Sequence, residues 1–220
     1  MSITLSKRLE KINKLVPNGA RVGDIGSDHG YLIASLALGG KINKGYACDN
    51  KKGPFLKLKD TILSLDLHNK IDVDLSDGIR NLPSYINCLV IAGMGGDLIL
   101  NILNENKEKL SNIEHIILDP HTKPKEVRQG LINLGYFIED EDDIIEDHIY
   151  YQIIKFKKGN SPVLNDNELE FGPILLRKKS SFFKELINKT LQKNNELLKL
   201  NLSNNRRREI EAQIERIKDI

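Results

Sequence analysis

Val22-Gly23-Asp24-Ile25-Gly26-Ser27-Asp28-His29-Gly30-Tyr31 passes from a strand, through a turn with two glycines four residues apart, into the start of a helix. Glycines at such a turn let the backbone approach a ligand, and a helix N-terminus offers unpaired N–H groups. The G-x-G-x-x-G spacing of a dinucleotide fingerprint is missing. In its place Asp24 closes the strand and Asp28 sits between the glycines. Carboxylates here disfavour a pyrophosphate and suit a ligand with an amino group and a sulfonium, both of which S-adenosylmethionine carries. The same residues also suit an ordinary strand–helix turn.

Around this segment, short apolar runs of strand type alternate with amphipathic stretches, the pattern of a parallel-sheet α/β domain. Residues 4–16 read as a helix, followed by strands at 20–25, 44–49, 70–75, 86–92 and 115–118. Helices are expected over 31–38, from the Gly53-Pro54 pair to about 65, and over 98–110 and 125–134. Strand signals at 136–138 and 148–156 flank an acidic stretch, Glu139 to Glu146, too short for a crossover helix, so these two strands are expected to be antiparallel. Beyond Gly159 no strand signal remains. Phe182, Leu186, Leu191, Leu197 and Leu198 define one helix, Ile210, Ile214 and Ile217 another, with a turn at 202–205. The expectation is a domain over 1–160 and a helical hairpin, coiled-coil-like, over 161–220.

Asp49 ends the second expected strand, where an acid can hold both ribose hydroxyls of an adenosine. Asp77-Gly78 follows the third strand and can face an adenine. Each pair of residues is also ordinary turn chemistry; their fall on successive strand ends, along the sheet edge that binds ligands, is what joins them. Ala92-Gly93-Met94-Gly95-Gly96 holds more glycine than a tight turn requires and is read as a functional loop. Asp119-Pro120-His121 lies on the same edge. Lys7, Arg8, Lys11 and Lys14 give the first helix a basic face, and Arg206-Arg207-Arg208 with Arg177-Lys178-Lys179 makes a second basic set. Both suit phosphate contacts or plain solvated surfaces.

The chain has 220 residues, 40% hydrophobic, with a net charge of +2, which excludes a wholly disordered polymer. No apolar run reaches the roughly 18 residues of a membrane span, and no secretion signal is recognised at the start. Cys48 and Cys88 cannot build a disulfide scaffold, and His29, His115 and His148 make no metal-ligand spacing with them. A cytoplasmic protein without metal or membrane partner is expected.

Leu5-Ser6-Lys7-Arg8-Leu9, the 24–31 segment, Gly53-Pro54-Phe55, Asp77-Gly78 and Ile91–Gly96 resemble the bacterial tRNA (adenine(22)-N1)-methyltransferases. The resemblance implies a Rossmann-like class I methyltransferase sheet, mostly parallel with one antiparallel strand, plus a C-terminal α-helical hairpin. It implies methyl transfer from S-adenosylmethionine to N1 of a tRNA adenine. Asp24, Gly26, Ser27, Asp28, His29, Gly30, Asp49, Asn50, Asp77, Gly78, Ala92 and Gly93 are then expected at the cofactor. Asp28, and after it Asp119, is expected to serve catalysis. Met94, Gly95, Gly96, Pro120 and His121 are expected to cradle an extruded base, with Lys7, Arg8, Lys11 and Arg206 to Arg208 on the tRNA backbone. The family pattern has Glu at Asp49 and Gln-Pro-Asn at 119–121. Methylation of another RNA base, or a non-enzymatic RNA-binding adaptor, are the alternatives.

Overall fold

A computed structural model describes residues 3–218 and residue 220. Its centre is a seven-stranded sheet in the order β3-β2-β1-β4-β5-β7-β6. The strands are β1 (Arg21–Ile25), β2 (Lys44–Asp49), β3 (Ile71–Leu75), β4 (Cys88–Gly95), β5 (His115–Thr122), β6 (Tyr136–Glu146) and β7 (Ile149–Lys158). The first five are parallel, and β7 runs antiparallel to both β5 and β6. The helices α1 (Lys7–Leu15), α2 (Tyr31–Leu38), α3 (Lys52–Ser64), α4 (Gly96–Glu105) and α5 (Pro124–Asn133) cover the two faces. Parallel strands buried on both faces need continuous apolar runs, and Leu89, Val90 and Ile91 of β4 and Ile116, Ile117 and Leu118 of β5 are fully buried.

Two strands reach further than their apolar patterns. β4 continues through Gly93 to Gly95 and β5 through Pro120 to Thr122, paired with irregular register (Met94 opposite Pro120, Gly95 opposite Thr122). The Ala92–Gly96 segment is therefore the bulged end of a strand running straight into α4, and not a free loop.

β6 departs most from expectation. The acidic stretch 139–146 is strand: Glu139 falls at a bulge, and residues 140–146 pair one by one with β7 up to a two-residue turn at Asp147-His148. Its charge is tolerated because each acid meets a partner from another element. Glu139 pairs with Lys155 at 2.9 Å, Glu141 with Arg128 at 2.7 Å and Asp142 with Lys11 at 2.7 Å. Asp140 pairs with Lys178 at 2.9 Å, and Asp143 accepts from Tyr150 and Ser180 hydroxyls.

After β7 come four helices rather than two: α6 (Asp166–Phe171), α7 (Pro173–Lys178), α8 (Ser181–Leu197) and α9 (Asn204–Lys218). α8 and α9 form an antiparallel pair, with Asn194 bonded to Gln213 at 3.1 Å and Phe183 and Ile187 packed with Ile217. The buried stripe of α8 is Phe183 and Ile187, one position on from the expected Phe182 and Leu186. Adjacent apolar pairs at 182–183 and 186–187 offer two equivalent stripes, and packing with Phe171 and Leu175 selects between them. α9 already begins at Asn204, so Arg206 to Arg208 lie in its first turns.

α6 and α7 join this tail to the sheet through a buried cluster. Arg128 of α5 and Glu141 of β6 are both fully buried. Arg128 also donates to the carbonyls of Leu169 and Glu170, while Glu141 accepts from the N–H of Ile174. Buried charges persist only when paired and hydrogen-bonded in this way. α7 and α8 pack along β6, which would otherwise be an open edge of the sheet.

Candidate active site

Two adjoining cavities open at the carboxyl ends of the parallel strands, about 310 and 470 Å³ in volume. They share Gly26, Asp28, Ala92 and Gly93. The chain reverses its winding between β1 and β4, and open α/β sheets bind ligands at that crevice.

The larger cavity is lined by Asp49, Asn50, Lys51, Ser76, Asp77, Gly78, Met94 and Gly95, with Leu98 and Ile102 as an apolar wall. Asp49 is held at the end of β2 by the Lys51 N–H, 2.9 Å from its Oδ1. The Asn50 amide donates to Asp77 at 3.0 Å, tying the second strand end to the third. Ser76 Oγ is buried without a partner. An orphaned hydroxyl costs free energy unless a ligand satisfies it, so this wall fits the hydroxyls and amine of an adenosine. In the sequence Ser76 carries no signal of its own, since a lone serine before Asp77-Gly78 looks like turn chemistry.

The smaller cavity is lined by Arg8 and Leu9 of α1, Asp24, Ser27, Asp28, His29, Tyr31 and His121. Asp24 is buried. Burial pushes its carboxyl up to about 6, although the Ser27 hydroxyl, donating at 2.6 Å, pulls the other way. A carboxylate in this state is stabilised by any cation brought beside it. Four carboxylates (Asp24, Asp28, Asp49 and Asp77) against Arg8 and Lys51 make the joined cavities acidic, and they fit a cationic sulfonium and ammonium. Among the described residues no group of three or more His, Cys, Asp and Glu is arranged to hold a metal.

Asp28 stands at the junction of the cavities. Its backbone has φ 50°, left-handed for a non-glycine residue, a strained conformation of the kind that gathers at functional sites. His29 Nε2 lies 3.5 Å from its Oδ2. Gly93 also has a left-handed φ, 77°, and this bend brings the end of β4 beneath the junction. A side chain at Gly26 would collide with the methyl end of Met94.

Several expected site residues do other work. Gly30 and Gly96 line neither cavity; a Cβ would strike Leu58 at the first and the Thr122 carbonyl at the second, so both serve close packing. Pro120 is buried and lines neither cavity. Met94 and Gly95 line the larger, acidic cavity rather than a separate base cradle. Asp119 is completely buried and outside both linings, because the Arg8 guanidinium pairs with it and covers it. Burial drives the Asp119 carboxyl upward against the pull of Arg8, and its Oδ1 has no partner. His121, two residues on and on the same side of β5, does line the cavity.

The basic face of α1 is largely engaged as well. Arg8 also approaches Glu146 at 3.8 Å and lies 5.0 Å from the Tyr151 ring centre, and Lys11 pairs with Asp142. Lys7 remains exposed. In α9, Arg206 pairs with Glu209 and Arg207 donates to the Leu198 carbonyl; neither they nor Arg208 line the two cavities. Cations at helical spacing look free in sequence when their partners lie on distant elements.

Residues 5–154 match a family model described as a methyltransferase domain. The chain is 33% identical over 187 residues to the tRNA (adenine(22)-N(1))-methyltransferase of Bacillus subtilis strain 168, covering 82% of this chain and 79% of that protein. Streptococcus pneumoniae Sp1610, solved in complex with S-adenosyl-L-methionine, superimposes with a TM-score of 0.91 at 31% identity, covering 98% of this chain and 99% of that one. The M. capricolum TrmK structure with S-adenosyl-homocysteine gives 0.87 at 29% identity, covering 98% and 96%. On its acidic double cavity, its strand order and these similarities, the chain belongs to the tRNA (adenine(22)-N(1))-methyltransferase family.

Proposed function

We propose that this protein transfers a methyl group from S-adenosylmethionine to N1 of an adenine in tRNA, at the position for which its Bacillus subtilis relative is named. The observation that carries the reading is the pair of cavities meeting at Asp28, one suited to an adenosine and the other open beside it.

When bound, S-adenosylmethionine supplies an electrophilic methyl carbon on a sulfonium. In this reading Asp49, Asp77 and Ser76 hold its adenosine, and Asp24 and Asp28, with the backbone around Gly26, hold its charged end. Asn50 and Gly78 complete the adenosine wall, and Ala92 and Gly93 floor the junction. Methyl transfer needs a nucleophile aligned with the reacting carbon, so orientation of the two is the chief demand on the site.

Adenine N1 is neutral and gains positive charge as the new bond forms. The Asp28 carboxylate, exposed at the junction, stabilises that charge and can accept a proton from the exocyclic amine. Asp119, sealed beneath Arg8, is assigned to hold the guanidinium in place rather than to meet the base. N1 lies on the Watson–Crick edge, so the base must leave its stack to enter. His121 and Arg8 line the cavity it would enter. Lys7 and Arg206 to Arg208 of α9 are assigned to the tRNA backbone, where their contribution will weaken with added salt.

The test is direct. Purified protein, S-adenosylmethionine and a tRNA transcript are incubated, and the nucleosides are resolved by mass spectrometry. 1-Methyladenosine is expected, at one position that stops reverse transcription. Its absence, or methylation of another base, overturns the reading.

A further inference from the structure

Tyr31 opens α2 and is 46% exposed, in a chain with six Tyr, six Phe and no Trp. The residues that follow it, Leu32, Ile33, Ala34, Leu36 and Ala37, are buried in the sheet core, whereas Tyr31 belongs to neither apolar cluster of the sheet. Packing therefore does not account for it. Its ring stacks on His29, centroids 5.3 Å apart and planes 12° apart, so one face is covered by an imidazole. Both rings line the smaller cavity beside Asp28, together with the exposed imidazole of His121.

A flat, half-exposed ring backed by a second ring is the form taken by platforms on which single bases stack, because every base has a π-face to offer. His29 Nε2 in turn lies 3.5 Å from Asp28 Oδ2, so the stack sits beside the carboxylate at the cavity junction. We propose that Tyr31, backed by His29, is the surface on which the extruded adenine stacks, so that Tyr31 sets the plane of the base while Asp28 meets its edge. The inference rests on the methyltransferase reading and adds to it the group that orients the nucleophile. An adenine lying flat on this ring keeps its in-plane N1 lone pair directed along the plane, and alignment of that lone pair with the reacting carbon is what an in-line displacement requires.

The experiment compares Tyr31→Phe with Tyr31→Leu, which removes the π-face while keeping an apolar side chain. Methylation of the full tRNA gives kcat/KM, and calorimetry gives the affinity for S-adenosylmethionine. Loss of one base–aromatic stack lowers kcat/KM roughly 5- to 150-fold. The expected result is a loss of that size in Tyr31→Leu with donor affinity unchanged, and at least roughly fivefold higher kcat/KM in Tyr31→Phe than in Tyr31→Leu. The inference is overturned if the two variants are equally active. It is also overturned if Tyr31→Leu loses donor affinity in step with activity, since that would put Tyr31 in the donor cradle. If the unaltered enzyme makes no 1-methyladenosine, the methyltransferase reading itself has failed, and that is read before any variant is compared.

Discussion

Arg8, in the first turn of α1, is ion-paired with Asp119 near the end of β5, a partner 111 residues away in the chain. The pair closes one wall of the smaller cavity and attaches α1 to the sheet. Removing Arg8 leaves a completely buried carboxylate without its counter-charge, which costs on the order of 3 kcal/mol. Arg8→Ala should therefore be destabilised at pH 7.5 in urea titrations. The deficit should shrink as the pH is lowered, to pH 5 for instance, because burial raises the Asp119 carboxyl and loss of Arg8 removes the charge that opposes that rise, so the variant takes up the proton more readily. An equal deficit at both pH values would show that the carboxylate is not the source of the cost.

Asp24 gives two opposed pH dependences from one group. Its folded-state value, about 6, is above the unfolded 3.8, so the folded protein binds the extra proton between these limits. Donor-free stability should then fall as pH rises from about 4 to about 6, by roughly 3 kcal/mol, and level off above. Affinity for the cationic donor should rise over the upper part of the same interval, since it needs the ionised carboxylate. Asp24→Asn should flatten both curves, raise the donor-free melting temperature at pH 7.5 by several degrees and abolish donor binding. Calorimetric melting and binding titrations across pH 4 to 8 check this.

Asp28→Ala should leave the fold intact, because this side chain is exposed, and methyl transfer should fall by two orders of magnitude or more, roughly the scale of general acid–base catalysis. tRNA affinity in gel-shift assays should stay close to that of the unaltered protein. A parallel loss of tRNA binding would assign Asp28 to RNA contact instead.

The Arg128–Glu141 pair is enclosed on all sides. Glu141→Ala should cost about 3–5 kcal/mol by stranding the guanidinium. The double variant Arg128→Met with Glu141→Leu should recover most of that loss. Thermal unfolding of the three proteins checks it, and a double variant no more stable than Glu141→Ala would mean that the hydrogen bonds to Leu169, Glu170 and Ile174 matter more than the charge.

The parallel half of the sheet was legible because its strands are written in continuous apolar runs: β2 falls at Lys44–Asp49 and α2 at Tyr31–Leu38 in both sequence and structure. That Asp24, Asp49 and Asp77 fall at or just beyond the carboxyl ends of β1, β2 and β3 was legible too, since the strand ends themselves could be read. β6 was not, because the partners that neutralise its acids come from α1, α5, α7 and β7, and local pattern carries no information about them. The burial of Asp119 and the engagement of Arg8 were hidden in the same way. Each reads as a free polar residue until the fold brings the two together.

The packing of α7 and α8 along β6 has a bearing on how the protein can be handled. An eleven-residue marginal strand is the longest hydrogen-bonding rim of this sheet, and bare rims recruit copies of themselves. A chain cut at residue 160 would uncover that rim, and would remove the Leu169, Glu170 and Ile174 hydrogen bonds from the Arg128–Glu141 pair, so the shortened protein should self-associate. The C-terminal helices thus sheathe the one long edge at which strand pairing could otherwise continue.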